Sequence, residues 1–180
     1  MPTSLSPQQN LLFQSYFTVS LLGELSNNDL LNSDYFEGMT FGAPWIKEEL
    51  GKIGVDNQGS AMMALYAMLV IPRETIHQTY SSDYDKIDAF LGKHTRNTTT
   101  TYLSDANSVR YLRHIRNAVA HARVEFRPSD AVIFEDEDNR TSETFSMELP
   151  LNYFGEFLNQ LQMVHIAYIR DLQQSIGRGG

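Results

Sequence analysis

Cysteine is absent from the 180 residues, so neither a disulfide framework nor a thiolate metal site is available, and the chain is consistent with a reducing cytosol. Long apolar runs are missing as well. No stretch approaches the roughly 20 apolar residues that span a bilayer, and Met1 to Asn10 lacks the charged start and apolar stretch of a signal peptide. We therefore expect a cytoplasmic protein without membrane contact. No internal repeat and no linker divides the chain; the expectation is one domain over 1–180 with a frayed tail at 176–180. No carboxylate and histidine set clusters as a metal site would require, so neither metal nor cofactor is expected.

Positive charge is also scarce, with 14 Lys and Arg against 22 Asp and Glu and a net charge of −8. That balance disfavours adsorption of nucleic acid over the whole surface and confines any such contact to a focused cleft. Against this background one run stands out. Arg110, Arg113, Arg116, Arg123 and Arg127 lie within 109–127, opposed there only by Glu125. Such an island answers to a phosphate-bearing ligand, an acidic partner or the protein's own carboxylates. Read as a helix at ~100° per residue, Leu112, Ile115 and Val119 stack on one side. Arg110, Arg113, His114, Asn117 and His121 share the opposite arc.

The apolar periodicity elsewhere is mainly helical. Ser6 and Pro7 open a first helix rich in leucine and aromatics, read as central to a bundle. Gln58 to about Ile71 reads as a buried helix that Pro72 interrupts, with Met62, Met63 and Met68 as core filling rather than an adaptable groove. His77 and His165 fall on expected core helices. A short helix from Asp83 should end at Gly92. Lys93 to Ser104, with its threonine run, has no apolar period and reads as a loop, followed by Asp105 as the N-cap of the arginine-bearing helix. The period then changes: Val124–Phe126, Ala131–Phe134 and Phe145–Leu149 read as short strands, the last two joined as a hairpin across Asp136 to Arg140. The acidic run 135–138 reads as its solvated tip, because successive carboxylates on a strand point apart. A long helix from Tyr153 closes the chain and should pack along the first and fifth helices.

The segment Arg116-Asn117-Ala-Val-Ala-His121 resembles the Arg-Asn-x3-His form of the motif of HEPN domains, set near the end of a late helix as in that family. The resemblance implies a mainly α, HEPN-like helical bundle with a short antiparallel β-hairpin inserted before the C-terminal helix. It further implies a metal-independent endoribonuclease that leaves 2′,3′-cyclic phosphate and 5′-hydroxyl ends, in a toxin–antitoxin or phage-defence setting. The alternative is a non-catalytic HEPN module that binds nucleotide, RNA or a protein partner in its dimer groove. Some relatives carry a tyrosine two residues after the motif histidine, the target of a modifying antitoxin; Arg123 stands there in this chain. An antitoxin partner would then act by covering the cleft.

The residue types suit the reaction independently of the resemblance. Cleaving RNA without metal needs a base for the 2′-hydroxyl proton, an acid for the departing 5′-oxygen and fixed positive charge near the phosphorane. His121 titrates near neutrality and Arg116 is a permanent fork-shaped cation. Asn117 would orient the imidazole or a phosphate oxygen, while Arg110, Arg113, His114 and Arg123 would contact RNA. On an ideal helix Arg116 and His121 are about 140° apart, so either the helix ends irregularly or two copies share one site. The second case implies a homodimer with RNA across its axis. The structural alternative leaves Arg116 paired to a carboxylate and His121 capping the helix C-terminus.

Overall fold

The computed structural model describes residues 5–72 and 76–177. The chain is mainly α, and among the described residues no helix is long and apolar enough to cross a membrane. Helix α1, Pro7–Asn27, starts as its first residues dictate: Ser6 and Gln9 form a reciprocal capping box with Pro7 just inside. It is less central than its composition suggests, because Leu12 and Tyr16 are buried whereas Leu11, Phe17 and Leu21 are exposed.

Short helices α2, Asp34–Gly38, and α3, Pro44–Ile53, precede α4, Gln58–Leu65, which continues as a π-helical turn over Tyr66–Val70. Met68 in that turn is core, while Met63 is exposed. Just beyond Pro72, residues 73–75 lie outside the described residues. Helix α5, Ser81–His94, runs through Gly92 instead of stopping there. A helix interior tolerates one glycine at roughly 1 kcal/mol. The last helix, α7, spans Leu151–Gly177, overlapping the stretch read as frayed; 178–180 lie outside the described residues.

The expected hairpin is the middle of a larger sheet. Strands β1, Arg96–Thr100, β2, Val124–Arg127, β3, Ala131–Asp138, and β4, Glu143–Pro150, form one antiparallel sheet in the order β1-β4-β3-β2. The threonine run is thus an edge strand, not a loop. It gave no alternating apolar signal because an edge strand with both faces largely wet has none to give; its β-branched threonines were the surviving cue. Val132, Phe134, Phe145, Met147 and Leu149 are buried and belong to one core with Leu112, Ile115 and Val119 of helix α6, Tyr111–Ala120. The sheet therefore covers the helix that carries the motif.

Candidate functional site

Helix α6 is shorter than the arginine run. It starts at Tyr111, with Arg110 at the cap position, and the Leu112 N–H donates to Asp88 Oδ1 of α5 (2.7 Å). Burial pushes the Asp88 carboxyl up, opposed by that bond and by Arg110. Asp105 is not the cap. It sits in a short 3-10 turn, Leu103–Asp105, and is buried.

The helix ends irregularly, one of the two alternatives the motif spacing leaves open. His121 is the C-cap, and Ala122 adopts φ +54°. The Arg123 N–H bonds the Ala118 carbonyl (2.8 Å) and the Ala122 N–H that of Val119 (3.2 Å), the paired bonds of a Schellman ending. Such an ending favours glycine at the left-handed position, and alanine there is strained by ~1–2 kcal/mol. Ala122→Gly should therefore stabilise the fold by about 0.5–1 kcal/mol net of glycine's entropy in the unfolded chain, measured by urea unfolding.

His121 itself is exposed, and its ring makes no hydrogen bond or ion pair among the described residues. Arg116 is half-buried, and its Nη2 donates to Asn117 Oδ1 (3.2 Å). Asn117 in turn donates Nδ2 to Asp136 Oδ2 (3.0 Å). The asparagine amide thus holds the arginine and does not reach the His121 ring. Asp136, expected at a solvated tip, is buried. The β3–β4 strands continue to the pair Asp138 and Glu143, so the turn lies further out than 136–140. Sequence did carry a signal for Asp136: it extends the inward alternation of Val132 and Phe134 by one step of two.

His114 is the second correction. It shares the polar arc of α6, yet the sheet roofs it and it is fully buried, so within this chain it presents no surface to RNA. Its ring stacks on Phe145 with centroids 4.0 Å apart and planes 9° off parallel. Nδ1 faces Asp136 Oδ2 at 2.8 Å and Nε2 faces Asp105 Oδ2 at 2.9 Å. Both carboxylates are satisfied only when both nitrogens carry hydrogen. The Arg113 guanidinium also comes within 3.2 Å of Nε2, but it has no lone pair to offer and shares Asp105 with the imidazole.

Asp105 Oδ2 accepts from Thr100 Oγ1 as well (2.8 Å), tying β1 to the cluster, while its buried Oδ1 has only Arg113 at 3.5 Å. Burial pushes the Asp105 carboxyl up, but the Thr100 bond and the charges of His114 and Arg113 outweigh it and hold it below its ordinary value. A carboxyl lowered in the folded state adds stability above its unfolded pKa and loses it as pH falls through the folded one. The stability contributed by Asp105 should therefore begin to fall as pH enters the ordinary carboxylate range and be lost below it. In Asp105→Asn the acid side of the stability profile should flatten, as followed by circular dichroism against pH.

The remaining arginines stand at the edge of this cluster. Arg113 lies over the Tyr102 ring (5.0 Å) and pairs with Asp105. Arg110 faces Asp85 at 3.8 Å, Arg123 pairs with Glu137 at 3.4 Å, and Arg127 with Glu125 at 3.0 Å. Own carboxylates thus account for part of the cationic island. The exposed pairs among them, Arg110 with Asp85 and Arg127 with Glu125, are screened by solvent and contribute little to stability. His77 is exposed beside this face, not in the core, whereas His165 is buried and donates Nε2 to the Met68 carbonyl (2.9 Å). Burial pushes the His165 ring down from the ordinary histidine value. Among the described residues, no three His, Asp or Glu side chains converge as a metal site would require.

A family model described as HEPN pEK499 p136 matches residues 2–172. No curated protein and no solved structure matches the chain.

Proposed function

The chain belongs to that HEPN family, and from this premise we propose that it is a metal-independent endoribonuclease acting through Arg116, Asn117 and His121. The observation that carries the reading is that one motif holds a tethered cation and an exposed imidazole. Asn117 accepts from the Arg116 guanidinium at a sheet-anchored position, and the exposed His121 ring makes no hydrogen bond or ion pair among the described residues. Preorganised positive charge and an exposed imidazole on one motif suit a phosphorane transition state.

In the proposed reaction a histidine removes the 2′-hydroxyl proton of the RNA. O2′ attacks the adjacent phosphorus, the bond from phosphorus to O5′ breaks, and O5′ takes a proton. The products are a 2′,3′-cyclic phosphate and a 5′-hydroxyl. Arg116 binds the non-bridging oxygens throughout. Because the reaction needs both a base and an acid and one copy offers a single exposed motif imidazole, the active unit proposed is a homodimer in which two motifs line one cleft and two histidines divide the proton transfers. Arg110, Arg113 and Arg123 bind the RNA backbone at its edge. A toxin–antitoxin or phage-defence role fits this activity, with an antitoxin closing the cleft.

The test is incubation of a mixed RNA pool with the purified protein in EDTA, followed by chemical mapping of the product ends. Cyclic phosphate and 5′-hydroxyl ends are the expected result. Absence of cleavage, with RNA still bound, would sink the ribonuclease and favour the binding module.

A further inference from the structure

Beside Arg116, on the side of α6 away from the sheet-covered histidine, lies a cavity of about 330 Å³. Its floor is apolar, from Leu69 and Leu112. Its rim carries Arg110, Arg113 and Arg116, and its wall brings His77 from the turn before α5 and Tyr84 and Asp88 from α5 itself. We infer that this cavity receives a guanine base adjoining the scissile phosphate, with Asp88 reading its Watson–Crick edge, so that the enzyme cuts next to guanosine.

The composition of the wall points to a base rather than to a phosphate alone. A bare anion site needs donors and no apolar floor, whereas an unstacked base needs a planar partner, a dry surface and a hydrogen-bonding group. His77 and Tyr84 already stack on each other, with centroids 5.1 Å apart and planes 25° off parallel. The exposed His77 ring is therefore held in one plane, as a stacking platform requires. Asp88 supplies the edge reader. One of its oxygens accepts the Leu112 N–H (2.7 Å), which fixes the carboxylate on the helix. Each carboxylate oxygen retains a further lone pair. Guanine is the base that offers two adjacent N–H donors on one edge, the match for a carboxylate fork. Uracil offers one, between two carbonyls that a carboxylate repels.

Placement supplies the link to cleavage. Arg116, which the proposed function assigns to the phosphate, bounds the same cavity. A nucleotide with its base against His77 and Asp88 thus brings its phosphate to the arginine rim. Only the relation to the scissile phosphate rests on the ribonuclease reading; base recognition stands by itself.

The experiment is titration of the wild type and Asp88→Asn with the four nucleoside 3′-monophosphates and with inorganic phosphate, by calorimetry. Asparagine keeps an acceptor for the Leu112 N–H, and phosphate affinity no lower than the wild type's reports an intact fold and rim. The wild type should bind 3′-GMP roughly tenfold more tightly than 3′-UMP, the discrimination a good bidentate contact gives. Asp88→Asn should bring the ratio to within about twofold, and His77→Ala should weaken every nucleotide severalfold by removing the stack. Four nucleotides bound alike by the wild type, or no measurable binding, would overturn the inference and leave the EDTA cleavage result untouched. A guanine preference unaltered in Asp88→Asn would overturn the role of Asp88. Guanine preference without RNA cleavage would uphold the cavity and refute the ribonuclease.

Discussion

Replacing His121 with alanine should lower single-turnover RNA cleavage by ~10²–10⁴-fold, the range for loss of a general acid or base, while RNA affinity changes by no more than about twofold. The asymmetry follows from the site. The His121 ring is exposed and makes no hydrogen bond or ion pair among the described residues, so its loss strips none of their contacts. The positive charge that attracts RNA is carried by Arg110, Arg113, Arg116 and Arg123, which remain. Arg116→Ala should behave differently. It removes the charge that meets the phosphorane, for about 10²–10³-fold in rate, and it weakens binding and its salt dependence too. Lysine at 116 should not restore the rate, because a point charge cannot match the planar fork held by Asn117. Equal loss of binding and rate in His121→Ala would show that the histidine serves affinity and would remove it from the proton transfers.

The largest expected effect on stability is at His114. His114→Ala leaves Asp105 and Asp136, both buried, facing an emptied space with their shared partner gone. Removing one side of a buried ion pair costs about 3–5 kcal/mol, and here a single side chain serves two carboxylates and stacks on Phe145. In a domain of this size 1 kcal/mol moves the melting temperature by about 2–4 °C, so a fall on the order of 10 °C should appear in a thermal melt. The consequence reaches the motif. Asp136 Oδ2 serves both His114 and Asn117, and Asn117 holds Arg116. Cleavage by His114→Ala measured well below its melting temperature should therefore still be slowed, whereas the Asp88-dependent base preference should persist. A variant that melts like the wild type would mean the triad of Asp105, His114 and Asp136 is not the tie between sheet and helix described above.

Much was legible along the chain because it depends on neighbours in sequence. The Ser6–Pro7 start of α1, the strands at 131–134 and 145–149 and the long closing helix follow from capping chemistry and apolar period. The motif Arg116-Asn117-x3-His121 and its position near a helix end were equally visible, since one segment carries them whole. The HEPN assignment followed from that segment and is the family the match over residues 2–172 shows.

What the sequence could not decide was which polar residues face inward. On a helical wheel His114 and His121 lie within about 20° of each other, yet one is sealed beneath Phe145 and the other is open. The difference is made by a sheet whose strands come from residues 96–100 and 124–150, and no local period in α6 reports where that sheet stops. The same distance in sequence hid Asp105 and Asp136, which read singly as a cap and a turn. Paired carboxylates so buried exist only because a third residue from another element stands between them. The sequence by itself determined the main helices, the strands from Val124 onward and the reactive residue types, but not the edge strand Arg96–Thr100. The tertiary structure decided which of those groups are tied into the core and which stand at the surface, because burial and pairing depend on side chains that meet only when the chain has folded.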